Sequence, residues 1–157
     1  MKAEILQPGI GNYVKEIFTE EINLTEITEY GIDWSEMLKP DQLIPLQGAR
    51  FDLAFEGIIK GDRLNGVIKG VDYLEIRSDG KFALNIHATI ITNDGFTISV
   101  RETGISTPDS SGKAILHLNM DFFTASCEYD WINKKQVWSV GEVDMSTGKV
   151  YVTGFSN

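Results

Sequence analysis

The chain has 157 residues, of which 42% are hydrophobic and 24% charged, and this composition is typical of a globular protein rather than a disordered or fibrous one. A single domain of this length buries about 70% of the surface that its unfolded chain exposes, so we expect one domain spanning residues 1–157. The 23 acidic and 14 basic residues give a formal net charge of −9, which opposes binding to nucleic acid and to anionic membrane surfaces.

The features that report on cellular location favour the cytoplasm. Residues 1–9 lack the apolar core of a signal peptide, and Cys127, the only cysteine, has no intrachain partner for a disulfide. No apolar run approaches the roughly 20 residues of a membrane-spanning helix. We therefore expect a cytoplasmic protein with no membrane partner.

Residues 1–47 form the less regular part of the sequence. Residues 13–18 and 22–30 are rich in β-branched and aromatic side chains, which favours strands, although their acidic spacing is also compatible with a helix. Residues 34–39 predict one short helical turn, which begins after Asp33 or Ser35 and ends before Pro40. We predict two strands at residues 13–18 and 22–30 within an otherwise irregular, longer amino-terminal part.

Residues 48–157 show the period-two alternation of strands joined by hairpins. Asp79-Gly80 and Asp94-Gly95 predict tight turns because these residue pairs readily adopt positive φ angles. The predicted strands cover residues 51–56, 63–68, 73–77, 81–92, 96–103, 114–129, 136–144 and 150–155. We predict an all-β fold in which a single antiparallel meander closes into a barrel, since closure removes exposed sheet edges.

An ordered series of short motifs resembles the domain-of-unknown-function family 3237. The motifs are Gly61-x-Arg63-Leu64-x-Gly66, Gly70-Val71-Asp72-Tyr73, Arg77-x-Asp79-Gly80, Thr89-x-x-Thr92-x-Asp94-Gly95, Arg101-x-x-Gly104, Phe123-Thr124 and Tyr129-x-Trp131-Ile132-Asn133, with Gly141 downstream. They cover about residues 46–155, whereas residues 10–43 depart from the pattern. The resemblance implies a small calycin-like or lipocalin-like barrel from bacteria and leaves the biochemical function open.

A stripe of polar side chains marks the first candidate site. Asn85, His87 and Thr89 share one face of a strand, and the turn at Asp94-Gly95 is expected to bring Arg101 to the same side of the sheet as His87. If this face lines a lumen, His87 can act as a general acid or base and Arg101 can bind a carboxylate or enolate oxygen. The ordinary alternative is that the polar face contacts water and the apolar face contacts the core.

Two further groups complete the candidate ligand-binding residues. Tyr129, Trp131 and Asn133 share a parity, so that the aromatic rings can form a pocket wall and the amide its polar tip, unless they serve core packing and a turn. Asp72, if it faces inward, can pair with Arg77 or Arg101 or orient His87, and otherwise it is an exposed strand-end charge.

No motif predicts a metal ion or a cofactor. His87 and His117 are the only histidines, and neither lies in a spaced metal-binding motif. Glycine-rich phosphate-binding loops are also missing from the sequence. We therefore expect neither a metal site nor a bound cofactor.

Three hypotheses for function follow. The first is a module that binds a small, partly apolar organic molecule in the barrel lumen, with Arg101 and His87 as polar contacts. The second is a cofactor-free isomerase, cyclase or lyase in which His87 moves a proton and Arg101 stabilises an oxyanion. The third is a solid barrel that acts through its outer surface as a homo-oligomeric interaction protein.

Overall fold

The computed structural model describes residues 14–157, which form a closed barrel of eight antiparallel strands. Each strand pairs with the next along the chain, and β8 pairs with β1 to close the sheet. The strands are β1 (Lys15–Glu29), β2 (Ala49–Lys60), β3 (Gly66–Ile76), β4 (Phe82–Thr92), β5 (Thr97–Pro108), β6 (Lys113–Phe123), β7 (Val137–Asp144) and β8 (Lys149–Ser156). The prediction of an antiparallel meander that closes into a barrel is confirmed.

The two predicted Asp-Gly turns lie at opposite ends of the barrel. Gly80 and Gly95 adopt φ angles of 93° and 94°, which a residue with a Cβ rarely adopts, so glycine suits both turns. We call the two ends the Gly80 end and the Gly95 end. The Gly80 end also carries the β1–β2 connection, in which the helix α1 (Trp34–Met37) confirms the predicted helical turn.

The strands predicted at residues 13–18 and 22–30 are confirmed where the structure describes them, and β1 is more regular than expected. This strand runs through 15 residues without a break, and bulges between Glu16 and Phe18 and between Leu24 and Glu26 bend it between β2 and β8. The two short strands predicted here are therefore one strand, because pairing on both sides overrides the weak local pattern. Residues 10–13 lie outside the described residues.

The two strands predicted at residues 63–68 and 73–77 are likewise a single strand, β3. Residues 63–65 belong instead to the β2–β3 connection, where the Asn65 amide hydrogen-bonds both the N–H and the C=O of Gly61. Gly70 does not end the strand. A Cβ at Gly70 would lie 2.3 Å from the carbonyl oxygen of His87, so glycine permits a close approach of β4.

The strand predicted at residues 114–129 ends earlier, at Phe123. A 3₁₀-helix, Asp130–Lys134, follows in the β6–β7 connection and buries Ile132 at the Gly95 end. Near the same end, the rings of Phe18 and Phe122 meet edge to face with centroids 6.1 Å apart. This half of the lumen is filled by side chains that are almost fully buried: Phe18, Ile59, Leu64, Ile68, Ile90, Ile98, Ile132 and Val137.

Candidate functional site

The other half of the lumen contains a cavity of about 80 Å³. Its wall is mostly apolar, with side chains such as Leu53, Leu84, Leu118 and Val152. The lining also includes partly exposed residues of the Gly80 end, namely Trp34, Phe82 and Met145. The cavity therefore extends from the middle of the barrel toward the Gly80 end.

Three carboxyl groups interrupt this apolar wall. Glu20 on β1, Asp72 on β3 and Glu102 on β5 all line the cavity, with exposed fractions of only 2%, 7% and 4%. Asp72 and Glu102 flank Ile86 on either side in the sheet, because both pair with it in register. Glu20 lies on the wall opposite Glu102, since β1 and β5 are four strands apart in a barrel of eight.

Burial raises the pKa of each of these carboxyl groups. Loss of hydration raises the pKa of Glu20 to about 8 and that of Asp72 to about 7. The pKa of Glu102 is raised well above its usual range, first by burial and then by the negative charges of Glu20 and Asp72. At neutral pH the cluster therefore holds protons that exposed carboxyl groups would have lost.

The hydrogen bonding of the cluster is incomplete. Oδ1 of Asp72 accepts a hydrogen bond of 3.1 Å from the backbone N–H of Asn85, and this bond partly opposes the rise in the Asp72 pKa. The β3–β4 pairing is interrupted at this point, between the Asp72–Ile86 and Glu75–Ala83 pairs, although the register is the same on both sides. Oε2 of Glu20 is buried with no hydrogen-bond partner among the described residues. A buried acceptor without a donor is costly, so it requires an explanation.

The structure places the predicted polar stripe on the outside of the barrel. His87 and Arg101 are direct cross-strand partners, which confirms that they lie on one side of the sheet. Both are exposed, as is Asn85, and Thr89 is half-buried on the same outer surface. The interpretation that these side chains line the lumen is therefore wrong, because the apolar face of β4 and β5 turns inward to form the core.

Asp72 and Arg77 do not form the predicted pair. The suggestion that Asp72 is an exposed strand-end charge is also wrong, since the side chain is buried among the cavity residues. Arg77 is exposed beyond the end of β3 and forms an ion pair of 2.7 Å with Asp79 in the adjacent turn. None of the basic partners proposed for Asp72 lines the cavity.

Tyr129, Trp131 and Asn133 lie at the Gly95 end, away from the cavity. The prediction that these residues share one face of a strand is wrong, because the segment forms a 3₁₀-helix with three residues per turn. The Tyr129 hydroxyl donates a hydrogen bond of 2.7 Å to Asp94, and the guanidinium of Arg63 lies 4.0 Å above the Trp131 ring. These contacts fasten the loops of this end together.

Asn133 stabilises a turn, which was the alternative to a role in a ligand pocket. Its amide accepts a hydrogen bond of 2.9 Å from the N–H of Thr124 and donates one of 2.7 Å to the C=O of the same residue. The side chain thus replaces a strand partner for Thr124, the residue that follows β6.

Glu20 and Glu102 were not among the sequence candidates, although the sequence contains a signal for both. Glu102 has the parity of Ile98 and Val100, and Glu20 has the parity of Phe18 and Ile22. A charged residue on the apolar parity of a strand is either a break in the strand or a buried charge. Such positions can be recognised in a sequence by asking which charged residues share the parity of the apolar residues in the same predicted strand.

Residues 14–157 contain neither a metal-binding cluster of side chains nor a helix that could span a membrane. No group of three or more histidine, cysteine, aspartate or glutamate side chains within this range is arranged to hold a metal ion. No helix in the same range is long and apolar enough to cross a membrane.

The fold and the site define a class of protein: a closed eight-stranded antiparallel barrel whose lumen combines apolar walls with buried carboxyl groups. The family model described as "Protein of unknown function (DUF3237)" matches residues 17–155. The chain therefore belongs to the DUF3237 family. The match includes β1, so the amino-terminal strand is part of the family pattern rather than a departure from it.

Solved structures with the same fold come from bacteria and from a fungus. A protein with unknown function from Clostridium acetobutylicum is 21% identical, with a TM-score of 0.73 over 91% of this chain and 95% of the other. A conserved protein of unknown function from Rhodopseudomonas palustris is 18% identical, with the same TM-score and coverage. A structure described as an enzyme from Penicillium herquei is 18% identical, with a TM-score of 0.62 over 90% and 92% of the two chains. Among curated proteins, no match is found.

Proposed function

We propose that this protein binds a small, largely apolar organic molecule in the lumen, at the Gly80 end of the barrel. The observation that carries the proposal is an apolar cavity of about 80 Å³ with three buried carboxyl groups in its wall, one oxygen of which has no described partner. A barrel of eight strands is narrow enough for side chains alone to fill its interior. The Gly95 half of this barrel is filled in that way, whereas the Gly80 half retains space.

The buried carboxyl groups favour a ligand over a simple packing defect. Each group costs free energy when it leaves water, and an apolar side chain of similar size would avoid that cost. A ligand that hydrogen-bonds these groups offsets part of it. The cavity supplies the two features of small-molecule sites in general, an apolar wall and a few convergent polar groups.

The size of the cavity limits the part of the ligand that it can enclose. A cavity of about 80 Å³ is roughly half as large as the engineered cavity of about 150 Å³ that binds benzene. By the same comparison, about three non-hydrogen atoms of a ligand fit inside the barrel. A longer ligand would extend past Trp34 toward solvent at the Gly80 end.

A thermal-shift screen with a lumen-filling variant tests the proposal. The probes are short-chain alcohols, ketones, amines and carboxylic acids, since a ligand bound only by the folded state raises the melting temperature. Leu118→Phe places extra volume in the cavity wall, and Ile115→Phe is the matched control on the exposed face of the same strand.

We expect the stabilisation to disappear in Leu118→Phe and to persist in Ile115→Phe. His87→Ala and Arg101→Ala should also retain it, because both side chains are outside the lumen. Stabilisation that survives in Leu118→Phe would place the ligand outside the cavity. A screen in which no probe stabilises the wild-type protein would overturn the proposal.

A second candidate function is cofactor-free acid–base catalysis. The observation that favours it is the spread of pKa values within one cavity, about 7 for Asp72 and about 8 for Glu20, which places a potential base and a potential acid near neutrality. The Penicillium herquei structure with the same fold is described as an enzyme. The version of this hypothesis that uses His87 and Arg101 is not retained, since neither residue reaches the cavity.

Deuterium exchange into butanone tests the catalytic candidate. We expect wild-type protein in D₂O to accelerate exchange of the hydrogens next to the carbonyl group, and we expect Asp72→Asn to abolish the acceleration. Exchange no faster than in buffer would contradict the catalytic hypothesis for this probe and leave the binding proposal unaffected.

The remaining expectations concern location and assembly. Cytoplasmic localisation and homo-oligomer formation stay predictions from the sequence. The cavity argues against the solid interior of the third hypothesis, and an interaction role would use the outer surface.

A further inference from the structure

The cavity wall is acidic and has no basic side chain to balance it. Glu20, Asp72 and Glu102 all line the cavity, whereas no lysine, arginine or histidine is among the described residues that line it. Burial favours the protonated form of these groups, whereas a carboxyl group that is ionised while buried is ordinarily paired with a cation or coordinated to a metal. A cationic ligand would supply the positive charge that the cavity wall lacks. An assignment of the ligand's charge on this ground rests on the proposed lumenal binding function.

We propose that the lumen binds an organic ammonium ion, with its charged nitrogen between Glu20 and Glu102 and its short apolar body toward the Gly80 end. An ammonium group is a donor only, and a carboxyl group that releases its proton to solvent as the cation binds becomes an acceptor only, so the two are then complementary. The unpartnered Oε2 of Glu20 is buried and lines the cavity, where it lacks such a donor. A charge-assisted hydrogen bond at this atom is stronger than one from a neutral donor.

The geometry disfavours a simple metal ion as the missing cation. The three carboxyl groups belong to β1, β3 and β5, and no three such groups in residues 14–157 are arranged around one metal position. An ammonium ion directs up to three N–H bonds in different directions and so can contact carboxyl groups on different walls. The leucine-rich lining is suited to a hydrocarbon body rather than to a hydrated metal ion.

Two features outside the carboxyl cluster also favour a cation. The formal net charge of −9 attracts cations and repels anions over long range. Trp34, whose ring meets that of Phe51 edge to face with centroids 5.0 Å apart, lies in the cavity lining near the Gly80 end. A cation that passes over the face of the Trp34 ring on its way into the lumen would be attracted to it.

Three probes of equal chain length separate the charge of the ligand from its apolar body. They are n-butylammonium, 1-butanol and butyrate, each measured by isothermal titration against the full-length protein. We expect n-butylammonium to bind at least about tenfold more tightly than 1-butanol, and we expect no binding of butyrate. Glu20→Gln and Glu102→Gln should each weaken n-butylammonium binding by about tenfold while leaving 1-butanol within about twofold.

Glu128→Gln is the matched control, because it makes the same chemical change at an exposed position of the Gly95 end. If one lumenal variant fails to fold, the other variant and the ratio of amine to alcohol affinity in the wild-type protein still decide the matter. Binding of 1-butanol with n-butylammonium no tighter would overturn the ammonium assignment and leave lumenal binding intact. Failure of all three probes would count against lumenal binding itself, and displacement of the amine by calcium chloride would reassign the site to a metal ion.

Discussion

Replacing Asp72 with asparagine should change the pH dependence of folding. Asparagine has nearly the same shape and keeps an oxygen that can accept the hydrogen bond from the N–H of Asn85. It cannot ionise, so the variant removes one titration from the lumen. The comparison therefore isolates the cost of ionising a single buried carboxyl group.

The magnitude follows from the two pKa values of Asp72. The pKa is 3.8 for the unperturbed group and about 7 in the folded protein, so the folded state binds the proton more tightly than the unfolded state does. Stability is therefore greatest below the unfolded pKa and falls as the pH rises toward the folded pKa. Complete ionisation costs up to about 4 kcal/mol, of which about 2 kcal/mol is lost between about pH 5 and about pH 7.

Urea unfolding followed by tryptophan fluorescence, repeated at several pH values, measures this effect. We expect the free energy of unfolding of the wild-type protein to fall more steeply with pH than that of Asp72→Asn, with the two curves diverging by about 2 kcal/mol from about pH 5 to about pH 7. Asp121→Asn, on the exposed face of β6, should follow the wild-type curve. Parallel curves for wild type and Asp72→Asn would show that Asp72 is already ionised in the folded protein at mildly acidic pH, which would refute the reasoning.

Three other substitutions test the packing and the turns. Gly154→Ala should destabilise the barrel by about 1–3 kcal/mol in urea unfolding, because the new Cβ would lie 2.2 Å from the Phe18 ring; an unchanged midpoint would contradict this close packing. Asn133→Ala should cost about 1–3 kcal/mol and increase amide exchange at Thr124, since both backbone groups of Thr124 lose their partner; exchange that stays slow would argue against the bridge. Gly95→Ala should lower stability by about 1 kcal/mol because of its positive φ angle, whereas a stabilising effect would mean that the turn has another conformation.

Hairpin positions and strand faces could be predicted from the sequence because they depend on local chemistry. Asp79-Gly80 and Asp94-Gly95 are turns in the structure because the φ requirement belongs to the turn residues themselves. The division of β4 and β5 into a polar and an apolar face is also a local property of the alternation. It correctly placed His87 and Arg101 on one side of the sheet.

Which residues meet inside the barrel was decided only by the tertiary structure. Glu20, Asp72 and Glu102 come from three strands that are not neighbours, and only closure of the sheet brings their side chains to one cavity. Closure also determines that the apolar face of each strand, together with any charge that shares its parity, turns inward. Alternation along one strand cannot carry that information, because a period of two defines two faces without specifying the direction in which the sheet curves.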